Sequence, residues 1–523
     1  MKKNILIYLP LICLSVSIAG CSNSSGGYKF EDVSNKDGSM SYEIFVRSFY
    51  DSDGDGIGDI NGVSEKLPYL YDLGIKTVWL MPIHQSPSYH GYDVSDYYSV
   101  HKDYGTLEDF DNLVNKAKEY NIDIMLDMVF NHSSLNNPYF RQSYNDYYNA
   151  NYGEGSKADW YNWSTTSSSG YSYYGGLYYE ARFDSSMPDF NLDSESLRQE
   201  IDNIMKFWIK DHGVKGFRLD AVLYYYYYTT AKNVEFMTWL EDTAHKYDED
   251  FYMVGECWAT GDEMINNYHK SSLDSFFRFP NAYGGDYSMI NLAKASGNIT
   301  NIIKTMENNE KAIKNNNPNG YSSYFLSNHD QDRISAAFNE TQNKCAASLL
   351  CLLPGTPFMY YGEEIQLVGV RENGDNSDVR RRLPMIWSEK DKTGQCDFPE
   401  KNKTSLDTTE QVKKGVNDRL KDGYSLLNHY KKVINIRNKY PFLKHGTFTS
   451  MMNQVDDYTP WVIIYKISLG NDYIIVVHNF AGEKVEINSP GEEILDEINT
   501  SKKAPKLSNG TLILQPYSSV VMH

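Results

Sequence analysis

Short apolar runs rich in β-branched and aromatic residues recur along most of the chain. They are YEIFV from residue 42, KTVWL from 76, DIMLDMV from 123, KGFRLD from 215, FYMVGE from 251, DSFFRF from 274, YSSYFL from 321 and PFMYY from 357. Stretches with apolar positions about one helical turn apart separate them, as in EDFDNLVNKAKEY at 108–120. Alternation of this kind predicts eight parallel strands with intervening helices, closed into an αβ barrel. One interval breaks the rhythm: residues 132–192 are rich in Tyr, Ser, Gly and Asn and show no helical period. A structureless loop of that length does not suit a compact domain, so an inserted subdomain is expected there. Beyond about residue 440 the pattern becomes WVIIYKI, YIIVVHNF and TLILQPYSSVVM with no helices between, which predicts an all-β sandwich. The expected organisation is therefore barrel at 40–131 and 193–439, insert at 132–192 and sandwich at 440–523.

The 523 residues suffice for such a barrel and two smaller parts. Composition adds one unusual feature, 44 tyrosines, whose apolar faces and polar tips suit a wet binding surface. A formal charge of -19 without long basic tracts disfavours a nucleic-acid partner. The start, MKKNILIYLPLICLSVSIAG, has two lysines, an apolar stretch and then small residues, the layout of a secretory signal over residues 1–20. IAGC at 18–21 resembles the bacterial lipobox, so Cys21 is expected to carry lipid and residues 21–39 to serve as a flexible linker. This reading places the protein outside the cell, lipid-anchored at the bacterial surface through Cys21; an uncleaved N-terminal anchor is the alternative. Cys257, Cys345, Cys351 and Cys396 match no zinc spacing and read mostly as buried thiols, with one disulfide left open.

In a barrel of this kind chemistry collects at the carboxyl ends of the strands. Those ends carry Asp127, Asn131 and His132 after strand three, Arg218 and Asp220 on strand four, Glu256 after strand five, and Asn328, His329 and Asp330 after strand seven. A lone strand-end carboxylate is commonly a helix cap. Three acids, two histidines and an arginine at equivalent ends point instead to a site. Crowded carboxylates push each other's pKa apart, so that one stays protonated as an acid while another stays charged, as retaining glycoside cleavage requires. Arg218, two residues before Asp220, lies on the same strand face and is expected to hold that carboxylate ionised.

These residues carry a resemblance to the α-amylase family of retaining glycoside hydrolases, glycoside hydrolase family 13. Its strand-three motif stands as DMVFNH, its strand-four motif as GFRLD, its strand-five motif as GE at 255–256 and its strand-seven motif as SNHD at 327–330. HGYD at 90–93, MPDFN at 187–191, YYGEE at 360–364 and RLPMIW at 382–387 also match, over roughly residues 40–523. The resemblance implies Asp220 as nucleophile, Glu256 as general acid/base and Asp330 as the group that steadies a distorted sugar. It implies substrate contacts for His90, Tyr92, Asp93, His132, Arg218, His329, Asp378 and Arg382, with Tyr92 stacking on a sugar ring. DSDGDGIGDINGV at 51–63 is not an EF-hand, whose twelfth position from Asp51 would need Glu where Gly62 stands. It resembles the calcium loop after the first strand of many family members, with Asp51, Asp53, Asp55 and Asp59 supplying side chains and Ile57 a carbonyl. Asn131 and Asp189 match two ligands of a second calcium. Calcium would be structural at both places.

The chain departs from many α-amylases where they have Lys and His, three and four residues after the nucleophile; here Leu223 and Tyr224 stand there, and Tyr224 opens a run of five tyrosines. Read as an extended segment, the run would alternate its rings between two sides, with one or two on substrate and the rest packed below. The implied partner is a starch-like α-glucan or maltooligosaccharide, cut at α-1,4 bonds by a monomer. Exo-acting or transferring relatives are the close alternative, because MPDFN is intermediate between the QPDLN of oligo-1,6-glucosidases and the MPKLN of neopullulanases. A non-catalytic glucan-binding protein on this scaffold is disfavoured, since all three acids are present.

Overall fold

The computed structural model describes residues 38–279, 289–372, 377–398, 411, 413, 415–454 and 461–523. The expected signal peptide, Cys21 and the linker up to residue 37 lie outside the described residues. All eight apolar runs form strands: β1 Ser41–Ile44, β2 Thr77–Leu80, β3 Asp123–Met128, β4 Gly216–Leu219, β5 Tyr252–Gly255, β6 Ser275–Phe277, β7 Tyr321–Ser323 and β8 Phe358–Tyr360. They pair in parallel in the order β7-β6-β5-β4-β3-β2-β1-β8, and a parallel bridge between Phe325 and Phe358 joins the two ends into a barrel. The interior is plugged by Trp79, Met125, Val254, Phe277, Phe279, Phe325 and Phe358, so the barrel is a packed core rather than a pore.

Helices lie between the strands. The first, Ile60–Leu73, starts where Asp59 accepts a hydrogen bond from the Gly62 N–H and stops at Gly74, whose φ of 96° suits a residue without Cβ. The helix expected at 108–120 spans Leu107–Glu119, opened by a capping box of Thr106 and Asp109. Among the described residues no helix is long and apolar enough to cross a membrane.

The insert after β3 holds a three-stranded antiparallel sheet, Trp163–Ser164, Tyr171–Tyr174 and Leu177–Glu180, with the last in the middle. It also holds a helix, Pro138–Tyr148, that the apolar pattern did not announce. The reason is that this helix buries only Phe140 and Ser143, too few positions to leave a stripe. Its start comes from Asn137 and Pro138, and Phe140 is held among Tyr161, Trp163, Tyr174 and Tyr179 at ring separations of 5.0 to 5.2 Å. A bridge from His132 to Asp189 ties the end of the insert to the chain leaving β3, and one from Tyr161 to Phe190 closes the insert on itself.

The C-terminal strands form a five-stranded antiparallel sheet, Thr447–Ser450, Val462–Leu469, Asp472–Asn479, Ser518–Met522 and Ile494–Ile498 in spatial order. A three-stranded sheet of Val485–Asn488, Thr511–Leu514 and Lys506–Ser508 accompanies it. Alternate residues from both, including Val462, Ile464, Ile475, Val477, Ile487, Leu512 and Leu514, make one aliphatic core between them. The four cysteines among the described residues, Cys257, Cys345, Cys351 and Cys396, are all free and buried.

Candidate active site

Arg218 organises the barrel mouth. Strand alternation puts Arg218 and Asp220 on one face of the β4 segment, and register sets Arg218 beside Asp127 of β3. Its guanidinium, 1% exposed, lies 5.4 Å from the Trp79 ring at the top of the apolar plug. Nη1 donates to Asp127 at 2.8 Å and to Asp220 at 2.6 Å, while Nη2 reaches Glu256 at 3.0 Å. A planar fork is the side chain suited to hold several carboxylates at once. The other oxygen of Glu256 accepts the Ala221 N–H at 2.9 Å, so the residue after Asp220 also grips Glu256.

One cation among three buried acids cannot neutralise them all. Burial pushes the Asp127 carboxyl up to about 7, with Arg218 opposing. Burial likewise raises Asp220 and Glu256 above the ordinary carboxylate range, again against Arg218, and Asp330 adds to the rise in both. Arg218 meets Asp220 as the strand alternation requires, but its guanidinium is shared with Asp127 and Glu256, and desolvation raises the Asp220 carboxyl against it. Between the two acids the shorter contact favours charge on Asp220, and Glu256 is left as the group that more readily holds a proton.

Asp330 is arranged in the opposite sense. Burial would raise its carboxyl, but the His329 imidazolium at 3.1 Å and the Arg382 guanidinium at 2.9 Å hold it well below the usual range. His329 is itself kept charged, its pKa pushed up to about 9 against the burial cost by Asp330 and by Glu43, whose carboxylate sits 2.5 Å from Nδ1. Tyr92 joins the two halves: its hydroxyl donates to Asp127 at 3.0 Å and lies 2.6 Å from His329 Nε2.

A cavity of about 780 Å³ opens over this network, and Asp220, Glu256 and Asp330 all line it. His90, Tyr92, His132, Asp378 and Arg382 stand in its wall. His132 Nε2 donates to the Tyr92 carbonyl at 3.2 Å, and burial lowers its pKa to about 4, so it is neutral. Asp378 pairs with Arg381 at 2.9 Å rather than with Arg382. Asp93 is placed behind the wall instead: it is buried and accepts from the hydroxyls of Ser86 and Ser88, which hold the turn carrying His90.

Two residues that sequence reading passed over belong to this network. Glu43 sits on β1, 286 residues from His329, and no local signal announces it. Trp258 donates its indole N–H to Glu256 at 2.8 Å and packs one face on Phe279 at 4.0 Å. Its position two residues after a strand-end Glu was the one available hint.

The tyrosine run is not extended, as expected, but folded into tight turns directly after β4. Ala221, Tyr227 and Tyr228 have φ of 53°, 36° and 61°, the left-handed region that costs a bulky residue on the order of 1–2 kcal/mol. Tyr225 is buried beneath the mouth, and Tyr226 is tied to Asp193 and Arg198. Tyr224 and Tyr228 line the cavity with Phe183 of the insert, while Tyr227 lies beyond.

The loop after β1 gathers carboxylate oxygens of Asp51, Asp53 and Asp59 within 4.8 Å of one another, with Asp51 and Asp59 buried. Hard oxygen donors in a turn of this kind fit a calcium ion. The Asp55 carboxylate is not brought into that group. Asp55 is exposed, and its Oδ1 accepts the Ile57 N–H at 2.7 Å in an Asx turn. At the second place Asn131 Nδ2 donates to Asp189 at 3.1 Å, and Asn131 Oδ1 is buried without a partner. Burial raises the Asp189 carboxyl to about 7. An orphaned carbonyl beside a desolvated carboxyl also fits a hard cation.

Known proteins give this geometry its context. Residues 43–446 match the family model of the α-amylase catalytic domain, and 462–521 match that of the SusG α-amylase C-terminal domain. The chain is 38% identical to Alpha-amylase 3 of Dictyoglomus thermophilum, over 92% of each chain. It is 29% identical to an oligo-1,6-glucosidase of Parageobacillus thermoglucosidasius, over 84% of this chain and 89% of that one. The solved structure of Amy13B from Eubacterium rectale superposes with a TM-score of 0.84 at 34% identity, covering 93% of this chain and 95% of that one. With three acids on one cavity of an eight-stranded barrel and both of its parts matched, the chain belongs to the α-amylase family and is a glycoside hydrolase acting on α-glucans.

Proposed function

We propose that this protein is an endo-acting α-amylase that hydrolyses α-1,4 bonds in starch-like glucans with retention, through a covalent glycosyl-enzyme intermediate. The observation that carries the reading is the single guanidinium of Arg218, which holds Asp220 and Glu256 side by side on the cavity floor. Glu256 donates its proton to the departing glycosidic oxygen as that bond breaks, and an Asp220 oxygen bonds to the anomeric carbon. Glu256, now a carboxylate, then takes a proton from water, whose oxygen displaces Asp220 and restores both groups. Asp330, kept ionised by His329 and Arg382, faces the positive charge that develops on the sugar ring. His90, Tyr92, His132, Arg218, His329, Asp378 and Arg382 position that sugar and the nucleophile, and Asp93 acts by holding the His90 turn.

Calcium at Asp51, Asp53 and Asp59, and at Asn131 and Asp189, would supply structural charge compensation and takes no part in bond cleavage. The protein is exported and held at the bacterial surface by lipid on Cys21, and works as a monomer. Its export and anchoring rest on the leader alone, and Cys21→Ala should release active enzyme into the medium.

The experiment for the reaction is the time course of products from amylose and pullulan. Rapid loss of iodine staining with few reducing ends is the expected result. Slow loss with early glucose, panose or longer transfer products would replace the endo reading with that of an exo-acting or transferring relative.

A further inference from the structure

Four rings form a connected path at one lip of the cavity. Phe183 and Tyr224 stand 4.2 Å apart, Tyr224 and Tyr228 5.5 Å, and Tyr228 and Tyr227 5.3 Å. Beyond them the Arg182 guanidinium caps the Tyr227 ring at 4.1 Å. Phe183, Tyr224 and Tyr228 line the cavity with Glu256, so the path begins beside the acid and leads outward.

Neither core packing nor backbone preference explains these rings. Phe183, Tyr227 and Tyr228 are 46%, 47% and 53% exposed, so they bury little. Tyr227 and Tyr228 also hold left-handed conformations, where glycine or asparagine would serve a turn better. Phenol and phenyl faces kept exposed against the preference of their own backbone match a ligand that offers apolar ring faces rimmed by hydroxyls.

We propose that Phe183, Tyr224, Tyr228 and Tyr227 form an aromatic track for the leaving part of the glucan chain, so that this enzyme selects long chains over short ones. The inference rests on the amylase reading above, because it takes the side of Glu256 as the side where the departing sugar lies. The first ring pair meets the sugar next to the cleaved bond, and Tyr228 and Tyr227 meet those that follow. Short substrates do not reach the outer rings.

The test uses Tyr228→Gly, Tyr227→Gly and the double variant. Each replaces a left-handed tyrosine by the residue that tolerates that conformation, so the melting temperature should hold or rise. With that fold control in place, kcat/KM on amylose should drop about tenfold in the double variant, while that on maltotriose changes less than about twofold. Equal losses on both substrates, or none on amylose, would overturn the track. Failure of the amylase reading itself shows separately, as wild-type protein that does not cut amylose internally. Phe183→Ala provides a second, independent reading at the inner end of the path.

Discussion

The barrel mouth and the core between the C-terminal sheets are both built on strands, yet they are held by opposite physics. The core between the two sandwich sheets is aliphatic, made of Val462, Ile464, Ile475, Val477, Ile487, Leu512, Leu514, Val520 and Met522, while the five-stranded sheet also buries the hydrogen-bonded Tyr465, His478 and Ser519. Any set of aliphatic residues of similar volume satisfies such a core to first order, because burial of apolar surface has no direction. At the mouth, by contrast, Arg218 meets three carboxylates within 3.0 Å, and His329 stands between Glu43 and Asp330. Each contact there depends on the angle and charge of one partner, and removing one leaves another buried without compensation. The sandwich is tolerant because its interactions are interchangeable, whereas the mouth is specific because its interactions are not.

That contrast can be broken most severely at Glu256. Glu256→Gln keeps the shape and most hydrogen bonds but removes the transferable proton. It should lower kcat by about 10³-fold while glucan binding and melting temperature stay close to wild type. Full activity in that variant would remove Glu256 from the reaction. Next comes Arg218→Lys, conservative in charge only. A lysine point charge cannot serve Asp127, Asp220 and Glu256 together, so stability should fall by about 3 kcal/mol in denaturant melts. A loss as small as that of a surface lysine swap would mean that the three acids do not depend on the fork.

The pH dependence sharpens the comparison further. His329 is raised from 6.5 to about 9, so its contribution to stability is complete below pH 6.5 and is lost as pH climbs through about 9. Asp330 is depressed, so its contribution is present above 3.8 and disappears as pH falls. Thermal melts should therefore weaken between pH 6.5 and 9 in the wild type, and His329→Gln should flatten that alkaline loss. Melts that decline equally in both proteins would show that other groups carry it. Calcium is expected to matter less: removing it with a chelator should cost about 2–3 kcal/mol if the metal is present near a hundredfold above its Kd. Melting curves that do not change after verified metal removal would leave the Asp51, Asp53 and Asp59 cluster without a structural metal role.

The smallest effect belongs to the sandwich. Ile464→Val should cost about 1 kcal/mol and leave kcat unchanged. A change in kcat there would mean that the two regions communicate.

The sequence determined a good deal by itself. Each of the eight barrel strands is a local run whose period and turn neighbours are written in adjacent residues, and strand-end placement of Asp220, Glu256 and Asp330 follows from that. The C-terminal strands are legible for the same reason. The helix Pro138–Tyr148 was not, since a helix with two buried positions leaves no periodic trace. Nor was the turn of Tyr224–Tyr228, because five identical residues contain no cue to where the chain bends.

Only the tertiary structure decided what the acids are. It brought Glu43 to His329 across 286 positions, Trp258 to Glu256, and a single guanidinium to three carboxylates. Protonation depends on desolvation and on charges a few ångströms away. Those distances exist only once the barrel closes, whereas hydrophobic period is already present in the unfolded chain.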